Sequence, residues 1–309
     1  LGGIGVIVNP RSRKNRDAPE RMARLGYIAG TLSHYVETAT LDDLTVAAHD
    51  FKKRGIDILA IGGGDGTNQV TLTHFVRVYG NTPLPMIAFL RGGTMNTTAR
   101  SFGVKGSSAA ILTRIVNNHR RGERFFCVRR RMLEVDGQYG FIFGNGVIAN
   151  FLDAYYAGRN PGPLRALGLV VRGCTSNLIG LPFARKLFSS VEATVTVDGT
   201  DWPTDHYIAI GASTVDQIGL GFRPLFRAAD GQDEFHIAGF HCSGGKLIQQ
   251  LPRIFFGRKP LGSGIEETLA HTATIQSPTS FAYTIDGEMY RSDRAVTLRT
   301  GPPVRIILG

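Results

Sequence analysis

The sequence predicts an N-terminal doubly wound α/β domain followed by a mostly antiparallel β domain of sandwich character. Three observations predict this. Strand-like and helix-like segments alternate up to about residue 123, as βαβ units do. The apolar run at residues 57–61 leads directly into Gly62-Gly63-Gly64-Asp65-Gly66-Thr67, as a buried parallel strand leads into a tight turn. Beyond residue 123, Asp-Gly pairs at 136–137, 198–199 and 286–287 mark hairpins between strand-like runs. The expected division is residues 1–123 for a Rossmann-like domain and 124–309 for the β-rich domain.

Taken in order, residues 4–8 are an apolar strand ending at Asn9-Pro10, and residues 18–32 suit a helix. A short strand at 34–37 precedes a helix running to Arg54, with Asp42 or Asp43 as its cap. The strand at 57–61 and its glycine turn lead to a helix after Thr67, with Val70, Leu72, Phe75 and Val76 as its apolar positions. Residues 85–90 form another strand, closed by Arg91-Gly92-Gly93-Thr94, and a helix covers 108–118. In the second part, residues 131–143, 191–197 and 281–285 read as strands, interrupted by a helical stretch at 163–189. Gly168, Gly173 and Gly180 argue against one unbroken helix there.

The bulk composition narrows the function. A chain of 309 residues suits two domains. No apolar stretch reaches the ~20 residues of a transmembrane helix, and no secretory leader is expected. Cys127, Cys174 and Cys242 are scattered, which fits neither a disulfide framework nor a metal site and makes a reducing, cytoplasmic setting the expectation. The net charge of +10 favours anionic partners. Arginines 120, 121, 124, 129, 130 and 131 form the densest basic cluster, but no nucleic-acid-binding module accompanies them and nucleic acid is not expected.

Four motifs carry the chemistry. A glycine turn between strand and helix aims backbone N–H groups at a phosphate, and Asp65 adds a carboxylate for a metal or a hydroxyl. Asn9-Pro10-Arg11-Ser12-Arg13-Lys14 offers amide, hydroxyl and cationic groups at a second strand end. Gly92-Gly93-Thr94-Met95-Asn96 supplies N–H groups, a hydroxyl and an amide at a third. Asp286-Gly287-Glu288 brings two carboxylates beside a turn, suited to holding Mg²⁺ or taking a proton. Each also suits an ordinary structural role: a tight turn, a solvated basic loop, a helix cap and one more hairpin.

Taken together and in this order, the motifs resemble those of the diacylglycerol kinase and sphingosine kinase catalytic fold, which includes bacterial lipid kinases. The resemblance runs over nearly the full length. It implies an ATP-binding α/β domain, a β-rich domain for the lipid acceptor, and ATP- and Mg²⁺-dependent phosphoryl transfer to a lipid hydroxyl. Carried over by position, Asn9, Pro10, Ser12, Lys14, Gly63, Gly64, Gly66, Thr67, Gly93, Thr94 and Asn96 would hold the nucleotide. Asp65 and Glu288 would be the catalytic carboxylates, and Asp65, Asp286 and Glu288 the metal ligands; which of Asp65 and Glu288 is the base stays open. Asn145, Asn150 and Asp153 fall where family members shape the acceptor pocket. Asn150 aligns with an Asp that meets the amine in sphingosine kinases, which favours a neutral, diacylglycerol-like acceptor here.

The pattern also departs from the family. Arg13 replaces the glycine of the first loop, Thr97 and Arg129 stand at acidic positions, and one Asp is missing before Asp230-Gly231. Fewer carboxylates lower Mg²⁺ affinity by charge count. The alternatives are therefore a kinase fold kept for nucleotide or lipid binding with weak or no catalysis, and a NAD kinase, against which Gly93-Thr94-Met95-Asn96 speaks. The apolar, basic-punctuated stretch at 163–189 suits core packing or peripheral contact with an anionic membrane.

Overall fold

In the computed structural model, which describes residues 2–158 and 162–308, the chain divides into two units. The first is Leu1–Arg130 with Pro302–Gly309, and the second is Arg131–Gly301.

The first unit runs β1 (Ile4–Val8), α1 (Arg13–Arg16), α2 (Glu20–Ala29), β2 (Ser33–Glu37), α3 (Leu41–Arg54), β3 (Ile58–Gly62), α4 (Asp65–Tyr79), β4 (Met86–Phe89), α5 (Thr97–Ser101) and α6 (Ser108–Arg120). Its sheet is parallel, in the order β4–β3–β1–β2, with Ile306 of the last strand pairing Ile87 on the outer side of β4. Every residue of β1 and β3 is buried, which explains why both read as unbroken apolar runs. This is the doubly wound layer that the alternation predicts.

Two local expectations are corrected. Thr40 caps α3, not Asp42 or Asp43. Its Oγ1 accepts from Asp43 N at 3.1 Å while Asp43 Oδ2 accepts from Thr40 N at 2.8 Å, a reciprocal box in which Asp43 is the inner partner. Helix α4 begins at Asp65, inside the glycine motif, because Gly64 is the last residue with extended backbone. Its first turn is therefore built from motif residues.

The second unit contains β5 (Cys127–Val135, which starts in the first unit), β6 (Gln138–Gly140), β7 (Ile142–Asn145), α7 (Val147–Tyr156), α8 (Pro163–Leu178), α9 (Pro182–Leu187), β8 (Val191–Glu192), β9 (Thr194–Val197), β10 (Thr200–Asp201), β11 (His206–Tyr207), β12 (Ala209–Ser213), β13 (Phe235–Phe240), α10 (Gly244–Phe255), β14 (Ile265–Ala270), β15 (Thr272–Gln276), β16 (Phe281–Ile285), β17 (Glu288–Ser292) and β18 (Ala295–Ile307, which ends in the first unit). One sheet is antiparallel throughout, in the order β14–β13–β12–β7–β16–β17. The other runs β10–β9–β15–β18, with β5 beside β18 and β6 beside β5. Val195, Ile275 and Leu298 of this sheet share one buried core with Phe143, Ile237 and Ile285 of the first, as the facing layers of a sandwich do.

The helical stretch is two helices. Gly180, at φ +69°, ends the first, and Pro182 opens the second at a position where its missing N–H costs nothing. Helices α7 and α10 were not expected from the sequence. Helix α7 packs on the six-stranded sheet through Ile148, which fills the space left by Gly144: a Cβ there would lie 2.6 Å from Ile148 Cγ2.

Candidate active site

In the first unit the chain leaves β1 for β2 on one side and later places β3 on the other, so the strand order reverses between β1 and β3. In doubly wound sheets that is where loops at the carboxyl ends open a crevice. The loop after β1 and the loop after β3 meet at this point. Asn9 Nδ2 donates to Thr67 Oγ1 at 3.2 Å, and Asn9 N donates to Gly62 O at 3.3 Å. Asn15, fully enclosed on α1, donates to Asn9 O at 2.8 Å and Gly62 O at 3.1 Å. It fastens the first loop to the end of β3, a role that no motif signalled. Ser12 Oγ is buried beside these groups and has no protein partner. Such a hydroxyl is costly unless something completes it.

The two glycine loops pack backbone against backbone. A Cβ on Gly93 would lie 2.4 Å from Gly64 Cα, and one on Gly92 would lie 3.0 Å from Gly63 N. A Cβ on Gly63 would lie 2.3 Å from Thr67 Cβ. Glycine is required here by the close approach. Asn96 holds the second loop shut: its Oδ1 accepts from Gly93 N at 2.8 Å and its Nδ2 donates to Gly93 O at 2.7 Å. Its backbone is left-handed at φ 50°, a conformation that Asn tolerates. The sequence reading offered this amide to a ligand or to a helix cap. The structure commits both of its ends to shaping the loop, and Thr94 stands within the loop so formed.

Asp65 links the two loops. Its Oδ2 accepts from Thr97 N at 2.9 Å and its Oδ1 from Thr98 N at 3.0 Å, so it caps α5 from a distance in sequence. Burial pushes its carboxyl above the usual carboxylate range, while those N–H groups and the charge of Arg100 pull it back. Gly66 and Thr67 complete the first turn of α4, where backbone N–H groups lack helical partners.

The cations of this unit converge. Burial, then the charges of Arg21, Arg91 and Arg100, lower the pKa of Lys14. These four residues come from α1, α2, the loop after β4 and α5. Lys14 was expected; Arg21 was not, and Arg91 and Arg100, which flank the second glycine motif, were given no charge role. A group of like charges is favourable only toward an anion.

The remaining candidates lie in the second unit. Asp286 is buried at a two-residue turn, at φ 49° with Gly287 at φ 93°. Its carboxylate accepts from Phe141 N at 3.1 Å and Ile142 N at 2.9 Å, while its own N–H donates to Ile142 O at 2.9 Å. Asp136 and Asp198 repeat the device. Asp136 bonds Thr297 and Asp198 bonds Thr272, each through both carboxylate and backbone N–H. Asp286 thus staples its turn to the junction of β6 and β7, its oxygens accepting from backbone donors in the interior. Glu288, the first residue of β17, is exposed, and the Tyr156 hydroxyl donates to Gly287 O at 3.1 Å beside it.

Of the expected acceptor residues, Asn150 and Asp153 both meet Lys186, while Asn145 is bonded within the sheet. Asn145 is fully buried and its Oδ1 accepts from Ile210 N at 3.0 Å. Asn150 Nδ2 donates to Lys186 O, Leu187 O and Ser189 Oγ, each at 3.2 Å, tying α7 to the end of α9. Asp153 forms an exposed ion pair with Lys186 at 3.5 Å. Asn150 thus satisfies backbone groups, the plainer of the two roles the sequence left open for it.

Comparison with known proteins bears on the first unit most directly. Residues 3–125 match the family model described as the diacylglycerol kinase catalytic domain. The first unit is therefore similar to a lipid-kinase catalytic domain. Its whole length also superposes on crystal structures from Bacillus anthracis str. Sterne. One is of a diacylglycerol kinase, with a TM-score of 0.65 at 16% identity, covering 100% of this chain and 97% of that one. Two others are described as candidate diacylglycerol kinases, each with a TM-score of 0.68, at 17% and 19% identity and the same coverage. At these identities the likeness shows the fold. No curated protein matches the sequence.

The kinase family implies Mg²⁺ with its nucleotide. Among the described residues, no three His, Cys, Asp or Glu side chains gather as a metal cage. Magnesium seldom needs one, because one or two carboxylates and the substrate phosphates suffice. In the first unit Asp65 fits the part of a single carboxylate, beside an N–H-rich turn and the charge of Arg100. Asp286 does not fit it.

Proposed function

We propose that the protein is an ATP-dependent lipid kinase that transfers the γ-phosphoryl group to the hydroxyl of a neutral, diacylglycerol-like acceptor. The observation that carries this reading is the nucleotide-side construction of the first unit. Two glycine loops are locked together at the strand-order reversal, with Lys14, Arg21, Arg91 and Arg100 converging nearby. Phosphoryl transfer asks for positioning and charge neutralisation more than for covalent help from the protein. The loop N–H groups, Ser12, Thr67 and Thr94 would hold the phosphate chain, and the four cations would offset its charge.

In the reaction the bond between the γ-phosphorus and its bridging oxygen breaks, leaving ADP. A new bond forms to the acceptor oxygen, whose proton passes to a carboxylate. Asp65 is the candidate base in the first unit, since burial raises its affinity for a proton. Mg²⁺ carried by ATP would neutralise phosphate charge, with Asp65 as the carboxylate available to it in that unit. The neutral acceptor is favoured because Asn150 stands where an amine-binding Asp would be needed, and its amide is committed to α9.

The test is transfer of γ-labelled phosphate to a panel of diacylglycerol, monoacylglycerol, sphingosine, ceramide and NAD, with Asp65→Asn as control. Label in diacylglycerol, abolished by the substitution, is the expected result. Label in NAD alone would replace the reading with a dinucleotide kinase. ATP binding without label anywhere would make this a binding protein on a kinase fold.

A further inference from the structure

Helices α2 and α6 pack side by side in the first unit and leave a groove open to solvent. Its volume is about 480 Å³, within the span of roughly 300–1,000 Å³ typical of small-molecule sites. Arg24 of α2 lines one wall, and Ser107, Thr113, Arg114, Asn117 and Arg121 line the other. Helix α6 buries Ile111, Leu112, Ile115 and Val116 in the core. Arg114, Asn117 and Arg121 follow one another at i, i+3 and i+7, so they share a different face of the same helix.

The charge of this groove is uncompensated. Among the described residues, the guanidinium groups of Arg24 and Arg114 make no hydrogen bond or ion pair. Glu20, one turn ahead of Arg24 on α2, forms no ion pair with it. Arg121 alone has an acidic partner, in an exposed pair with Glu123 at 3.5 Å. Between Asp65 and Glu123 the sequence holds no acidic residue. Like charges lining one groove favour an anion between them. The groove is separate from the phosphate side of the candidate active site, because none of its lining residues belongs to the glycine loops or to the Lys14 group. Arg21, one turn before Arg24, donates to Ser108 Oγ at 3.2 Å and adds its charge to Lys14.

We propose that the α2–α6 groove is a second anion site, which takes a small ligand carrying two or more phosphate charges. The guanidinium forks of Arg24 and Arg114 pair with phosphate oxygens, each fork matching two of them. Ser107, Thr113 and Asn117 supply hydroxyl and amide groups to the rest of the ligand. No aromatic or large apolar side chain lines the groove, so nothing there stacks a base or holds an acyl chain. A nucleic-acid strand is a poorer occupant for the same reason. The inference does not use the kinase reading.

The experiment is calorimetric titration of the full chain with inorganic pyrophosphate, with fructose 1,6-bisphosphate and with sulfate, at constant ionic strength and without nucleotide. It is run on Lys14→Ala, which weakens the phosphate side of the candidate active site, and on the same protein with Arg24→Ala/Arg114→Ala added. Thermal unfolding checks that each is folded, and Arg114→Gln alone serves if the triple variant is not. The expected result is binding of pyrophosphate or the bisphosphate at least about tenfold tighter than sulfate in Lys14→Ala, falling about tenfold or more when the two arginines are replaced. The tighter of the two phosphate probes tells an inorganic or nucleotide-type diphosphate from a phosphorylated polyol. No binding in either Lys14→Ala or the wild type overturns the proposal, as does an affinity no better than that for sulfate. Wild-type binding that Lys14→Ala abolishes, with Arg24→Ala/Arg114→Ala alone unchanged, overturns it by placing the ligand with the Lys14 group.

Discussion

Asp65 Oδ2 accepts a hydrogen bond from Thr97 N at 2.9 Å. The motif carboxylate of the first glycine loop is thereby fixed to the helix that follows the second. The residue proposed for chemistry is also a cap, and the two roles separate experimentally.

Asp65→Ala removes both acceptors from the start of α5 and should cost roughly 0.5–2 kcal/mol of stability. Asp65→Asn keeps one acceptor oxygen and should unfold nearer the wild-type temperature. Both should lower turnover by about 10²–10⁴-fold if the carboxylate takes the acceptor proton. Wild-type turnover in a folded Asp65→Asn protein would remove Asp65 from the chemistry and leave it a cap.

Gly93→Ala places a methyl group 2.4 Å from Gly64 Cα, where only backbone could yield. The loops should part and ATP affinity should fall by about tenfold or more, equivalent to about 1.4 kcal/mol. Helical circular dichroism should stay near wild type. Titration with a fluorescent ATP analogue reads this directly, and unchanged affinity would mean that the loop contact does not shape the phosphate site.

Lys14→Ala and Arg100→Ala should weaken ATP binding while leaving adenosine binding much as it was. The wild-type preference for ATP should shrink as salt rises, since screening acts on the phosphate charge. Equal losses for ATP and adenosine would place these side chains away from the phosphates.

Asp286→Ala leaves the Phe141 and Ile142 N–H groups without their buried acceptor, at a cost of about 1–3 kcal/mol for each group left unsatisfied. The same change at exposed Asp198 should cost less, because water can replace the acceptor there. Chemical denaturation orders the two. A shift in the Mg²⁺ dependence of activity with Asp286→Ala, at unchanged stability, would restore the metal role that its geometry argues against.

Acid should weaken the second unit through Glu267. Burial alone would raise its pKa, but hydrogen bonds from Lys259, His236 and Arg227 overcome this and bring it down to about 2. A depressed carboxylate contributes stability that is present above its unfolded pKa of about 4.3 and is lost as pH falls toward the folded value. Buried His236 is also depressed, mainly by burial, so it adds stability above about pH 6.5 that declines as the medium acidifies. Unfolding midpoints of the wild type should therefore begin to fall below about pH 6.5 and drop further between about pH 5 and pH 2, and Glu267→Gln should flatten that second fall. Parallel curves for the two proteins would show that the cluster does not govern acid stability.

What the sequence determined by itself depends on near neighbours. Apolar runs closed by glycines set β1 and β3, and Asp-Gly pairs set the three hairpins, because backbone freedom at those positions is a local property. The order of motifs carried the kinase resemblance for the same reason. Tertiary structure alone decided which polar groups stay open to a ligand. Asn96 and Asn150 looked available, yet Gly93 and α9 hold them, and Asp286 is held by a turn 145 residues away. The convergence of Arg21, Arg91 and Arg100 on Lys14 was equally hidden, since it arises from four elements brought together by packing. A side chain's hydrogen-bond partners and its electrostatic neighbours are set by distance in space, and a pattern of residue types along the chain records only the first few ångströms of that distance.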